Sequence, residues 1–103
     1  MLYPFITLPD GTEIVYSDIL HIDGKERVQV KFERWNDNRD DFDSMECLLP
    51  DGKMTKVIGF LPEEVNYQRA KILSLQNMIL ECSREDTKAE QDIIQQEGRK
   101  EFL

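Results

Sequence analysis

Pro62–Arg84, PEEVNYQRAKILSLQNMILECSR, is the one long stretch of helical period in this chain, and its reading decides the fold. At 3.6 residues per turn Val65, Ile72 and Ile79 fall nearly in line. Leu73 and Leu80 flank that line on one side, Leu75 and Cys82 on the other. Glu64, Asn66, Lys71, Ser74, Asn77, Glu81 and Arg84 fill the opposite half. An apolar half this wide suits a helix lying on a sheet. Pro62 sits where a missing N–H costs nothing, and Glu63 and Glu64 complement the positive end of the helix dipole. Glu85 and Asp86 oppose a helix C-terminus, which predicts a break there. Thr87-Lys88-Ala89-Glu90 has capping-box spacing and predicts a second helix. The expected organisation is thus one domain over residues 1–86 and a polar helix or tail over 87–103. In that tail Ala89, Ile93, Ile94, Phe102 and Leu103 are too few for a continuous stripe.

The residues ahead of the helix supply a sheet. Residues 2–8 (LYPFITL) read as a strand, with Pro4 favouring an edge because it removes a ladder donor. Pro9-Asp10-Gly11 turns the chain into a run in which Ile14 and Tyr16 share one face and Glu13, Val15 and Ser17 the other. Asp23-Gly24 marks a second hairpin. Glu26–Trp35 is the cleanest strand: Val28, Val30 and Phe32 face one way, Gln29, Lys31 and Glu33 the other, and Trp35 lies on the polar side. Residues 36–43 (NDNRDDFD) read as a charged loop in which Phe42 is the lone apolar residue. Met45, Cys47 and Leu49 then alternate inward, and Pro50-Asp51-Gly52 repeats the earlier Pro-Asp-Gly turn chemistry. Met54, Ile58 and Phe60 share a face of the last strand. The fold class is therefore α+β: an antiparallel β-meander of four to five strands packed against one long helix, followed by a second polar helix. The expected core joins the helix to Val28, Val30, Phe32, Met45, Cys47 and Ile58.

A chain of 103 residues forms one modest core. Its net charge of -8 disfavours nucleic acid and anionic membranes, which need clustered Lys and Arg; it favours simple solubility first, then basic protein partners or mimicry of nucleic acid. No apolar run approaches a membrane span, no signal peptide is expected from MLYPFITLPDG, and Cys47 and Cys82 suit buried reduced thiols, so a cytoplasmic location is expected.

No segment carries a specific catalytic motif. The 36–43 loop is rich in oxygen donors, but Asp41 and Cys47 stand where a calcium loop needs glycine and glutamate. Gln29-Val30-Lys31 has the lysine of a nuclease triplet without its carboxylate. His21 is the only histidine and has no assignable partner. No metal, cofactor or catalytic residue is assigned. Surfaces are the better prospect. A sheet covered by one helix leaves a second face, expected to carry Tyr3, Phe5, Val15, Trp35 and Val57 unless the tail helix covers it. Tyr3, Phe5, Trp35, Phe42, Ile93 and Ile94 are the candidate partner-binding residues. The expected function is that of a small acidic non-enzymatic protein acting through protein–protein interaction, such as an inhibitor or an antitoxin-like partner of a basic protein. The alternatives are a homo-oligomer joined by the tail helix or a sheet edge, and an enzyme whose fold gathers distant carboxylates and His21 in one cleft.

Overall fold

The computed structural model describes the backbone of residues 1–101 and the side chains of residues 1–91. Six strands precede two helices: β1 (Leu2–Thr7), β2 (Glu13–Ser17), β3 (Leu20–Ile22), β4 (Lys25–Asn36), β5 (Asp41–Leu49), β6 (Lys53–Ile58), α1 (Pro62–Ser74) and α2 (Gln76–Glu101). All pairings are antiparallel, in the order β1-β2-β4-β5-β6, with β3 alongside the start of β4. This is the expected α+β meander. The run through residues 12–22 divides into β2 and β3 because the chain leaves the ladder at Asp18 and Ile19. Its freed groups find partners elsewhere: the Ile19 N–H donates to Thr87 Oγ1 at 3.0 Å, and the Ser17 carbonyl accepts from Ser83 Oγ at 2.6 Å.

One face of the sheet meets both helices. Ile14, Tyr16, Val28, Val30, Phe32, Met45, Cys47 and Leu49 come from the strands, Phe60 from the connection, and Ile72, Ile79 and Leu80 from the helices. Val65, Leu73, Leu75 and Cys82 pack around them, so the apolar half read from the helix period is the half that is covered. Burying a side chain the size of Ile72 or Ile79 contributes roughly 1.5–3 kcal/mol.

Three expectations are corrected. The helix breaks at Leu75, not at Glu85–Asp86, and α2 runs through the acidic pair without interruption. Those residues do not oppose the helix because they lie well inside α2, away from its negative C-terminal end, and Asp86 accepts the Tyr16 hydroxyl. Thr87 caps no new helix; its hydroxyl bonds back to the Ser83 carbonyl at 2.7 Å. Ile58, expected in the core, is exposed. An irregularity in the β5–β6 ladder, where Glu46 faces Lys56 but Cys47 faces Met54, leaves Thr55 as an extra residue and turns Ile58 outward opposite Ser44. Finally, residues 36–43 are mostly ladder: Asn36 faces Asp41, Trp35 faces Phe42 and Arg34 faces Asp43, leaving a turn of four residues, 37–40.

Candidate interaction surface

The far end of the β4–β5 hairpin is held by an ionic network built around one buried carboxylate, with partly exposed partners. Arg34 continues the inward phase of Val28, Val30 and Phe32, and Asp43 that of Met45, Cys47 and Leu49, so the two meet directly across the strands. Asp43 is fully buried. It accepts from Arg34 Nε at 2.9 Å, Arg39 Nη1 at 2.5 Å and Asn36 Nδ2 at 3.2 Å. Burial alone pushes its carboxyl up, but the hydrogen bonds from Arg34, Arg39 and Asn36 outweigh this and hold it below the usual carboxylate range. Arg34 also forks onto Glu64, and its guanidinium lies 4.2 Å from the Phe60 ring centroid. Glu64 in turn accepts the Leu61 N–H at 3.2 Å and so closes the first turn of α1. The network thereby ties the hairpin end to the start of the helix.

Gly59 makes room for it. Its φ is +83°, and a Cβ placed there would fall 1.9 Å from Asp43 Oδ1 and 2.6 Å from Arg39 Nη1. Neither the backbone angle nor the space admits a side chain.

Outside this network, on the face away from the helices, stand Trp35 and Phe42. They are cross-strand partners with ring centroids 5.2 Å apart and planes at 81°. Half of each remains open, 51% of Trp35 and 50% of Phe42. The indole N–H is fixed by Asp37 Oδ1 at 2.7 Å, and Asp41 Oδ1 accepts the Phe42 N–H at 2.7 Å. Ile58 and Ser44 adjoin them on the same face. One ladder step toward the middle of the sheet, Glu33 lies directly opposite Glu13, and both are exposed. Beyond that pair, Lys31 is engaged by Glu46 at 3.6 Å.

The candidate residues divide accordingly. Trp35 and Phe42 come together on the open face. Tyr3 and Phe5 do not join them, which corrects the expected patch. Tyr3 faces Tyr16 across the β1–β2 ladder, Tyr16 points inward, and so does Tyr3; their rings lie 5.5 Å apart. A β-bulge between Pro4 and Ile6 keeps Phe5 over the same tyrosine at 6.4 Å. Val57 sits at the sheet edge opposite Met45. The Ile93 and Ile94 side chains lie outside the described residues. The tail does not cover the second face as far as it is described: α2 contacts β2 and β4 from the side that α1 occupies.

A second polar cluster straps α2 to the sheet. The Tyr3 hydroxyl lies against Asp18 and, at 3.0 Å, Glu90, while the Tyr16 hydroxyl donates to Asp86. Asp18 also receives the chain's amino group at 2.9 Å. The hydrogen bond to Asp18, with burial, raises Tyr3 above the ordinary phenol range; burial and the Asp86 bond do the same for Tyr16. His21 is exposed on β3 opposite Glu26. Among the described residues no group of His, Cys, Asp and Glu is arranged to hold a metal ion, and no helix is long and apolar enough to cross a membrane.

The network at Asp43 was not foreseen from sequence, although its signal was there. Arg34 and Asp43 are opposite charges at inward-facing positions of two amphipathic strands, which is the pattern of a buried pair. No protein-family model, curated protein or solved structure matches this chain.

Proposed function

We propose that this chain is a non-enzymatic binding protein whose open sheet face docks a basic protein partner through Trp35 and Phe42. The observation that carries this reading is the placement of two half-exposed aromatic rings on a hairpin end made rigid by the ionic network around Asp43. Exposed aromatic pairs on a fixed backbone supply contact area at low entropic cost on binding. The net charge of -8 gives the sign of the partner. An inhibitor or antitoxin-like role toward a basic protein fits both.

The test is a native pulldown at low salt with the wild type, with Trp35→Ala/Phe42→Ala and, as a control, with Tyr67→Ala, an exposed aromatic on α1. A stoichiometric complex with the wild type and with Tyr67→Ala, lost in the double variant, is the expected result. Recovery of only monomer or self-assembled chain, or a complex indifferent to the double variant, overturns the proposal. Light scattering after size exclusion separates it from self-association through the β6 edge, since the unpartnered chain has a mass of 12.1 kDa.

A further inference from the structure

We infer that what this surface recognises is a cationic side chain, an arginine presented by the partner, seated against Trp35 and Phe42 within a rim of carboxylates. The inference rests on the docking role proposed above and names the chemistry of the docked group.

The electrostatics of the face single this out. Glu13 and Glu33 are direct cross-strand partners, both exposed, on the open face one ladder step from Trp35. Like charges placed opposite each other in a ladder repel and destabilise the sheet that carries them. A charge of opposite sign arriving over this position removes that repulsion. Asp37 lies on the indole N–H. Among the described residues none of Glu13, Glu33 and Asp37 forms an ion pair. Of the cations around this face, Arg34 and Arg39 hold Asp43 from the inner side and Lys31 is taken by Glu46, while Lys56 stands exposed opposite Glu46, two ladder rows from the rings. No ion pair among the described residues therefore neutralises the carboxylates nearest the aromatic pair.

The rings meet the same ligand by a second mechanism. Two planes at 81° form a corner whose walls carry the negative faces of their π-systems. A guanidinium is weakly hydrated and planar, so it stacks on an aromatic face while its N–H groups reach carboxylates at the rim. A neutral apolar partner would use the rings and leave the carboxylates desolvated and unpaired, and an acidic one would be repelled.

The chain contains a single tryptophan, so the emission of Trp35 reports on this corner alone. The experiment titrates the full chain at low salt with acetyl-Gly-Arg-Gly-Arg-Gly-amide and with the same peptide carrying citrulline, the neutral isostere of arginine. A saturable change in emission is expected with the arginine peptide. Half-saturation should move about two- to fivefold to higher concentration with citrulline, with Phe42→Ala, and with Glu13→Gln/Glu33→Gln. The glutamine pair removes like-charge repulsion and is expected to fold at least as well as the wild type, which circular dichroism checks. Equal responses to arginine and citrulline, a response unchanged in the glutamine variant, or no saturable response overturns the inference. If the peptide fails while Trp35→Ala/Phe42→Ala still abolishes capture of a partner, the cationic specificity falls and the docking surface stands. Failure of both removes both.

Discussion

Two polar clusters hold this molecule together, and they treat carboxylates differently. Toward one end of the sheet Asp43 is buried between two guanidinium groups and an amide. Toward the other, Asp18, Asp86 and Glu90 lie against tyrosine hydroxyls, with no arginine or lysine ion pair among the described residues. The first arrangement is charge-neutral and sterically closed, down to a glycine that admits no Cβ. The second is engaged mainly through neutral hydroxyls, with the chain's amino group on Asp18 as its one cationic donor among the described residues, and so leaves net negative charge in place. A buried charge is tolerable only when opposite charge and hydrogen bonds surround it, whereas a partly exposed carboxylate still has water. The first region fixes the fold locally; the second straps an element down. The exposed aromatic pair stands over the first.

The contrast can be broken most sharply at Asp43. Asp43→Ala leaves Arg34 and Arg39 without their buried partner and should cost about 3 kcal/mol of stability by chemical denaturation. Gly59→Ala should cost a comparable amount in the wild type. In the Asp43→Ala background it should cost less, because the colliding oxygen is gone and mainly the penalty of a positive φ remains, about 1–2 kcal/mol. Additive losses would show that the two do not meet in solution.

Titration sharpens the same comparison. The folded pKa of Asp43 is depressed, so its stabilisation is present above the unfolded carboxylate value and is lost as pH falls below about 4. Asp43→Ala should flatten that acid limb. Tyr3 and Tyr16 are shifted the other way. Their stabilisation is complete below the unfolded phenol value of about 10 and is lost as pH rises through the higher folded values. Tyr16→Phe should cost about 1 kcal/mol at neutral pH and, combined with Tyr3→Phe, should blunt the alkaline loss of stability followed by chemical denaturation. A strap that contributes less than the Asp43 network should thus govern a different pH range.

The smallest effect is expected on the open face. Trp35→Ala/Phe42→Ala removes a pair that buries only part of its area, so stability should fall by no more than about 1 kcal/mol while binding is lost. A larger loss would mean that the pair serves the fold.

Much of this was legible residue by residue. The alternation of Val28, Val30 and Phe32 identified the inner face of β4, and the line of Val65, Ile72 and Ile79 identified the buried side of the helices. Trp35 fell on the polar side of its strand and is exposed there. What escaped the sequence depended on pairing. Residues 36–43 have the composition of a loop, yet Arg34 facing Asp43 makes most of them a ladder. Tyr3 and Phe5 carry no mark of which face they take; the register with Tyr16 and a bulge beside Pro4 decide it. Ile58 changed sides because one extra residue in β6 reverses a period of two.

By itself, then, the amino-acid sequence determined that an antiparallel meander precedes the helices and which faces seek cover, because periodicity and turn chemistry are local properties. It determined the acidic balance for the same reason. The tertiary structure alone decided that Asp43 is buried among cations, that Gly59 must lack a side chain, that Glu13 opposes Glu33, and that Trp35 and Phe42 meet on an uncovered face. Each of these is a relation between residues on different elements, fixed by register and packing.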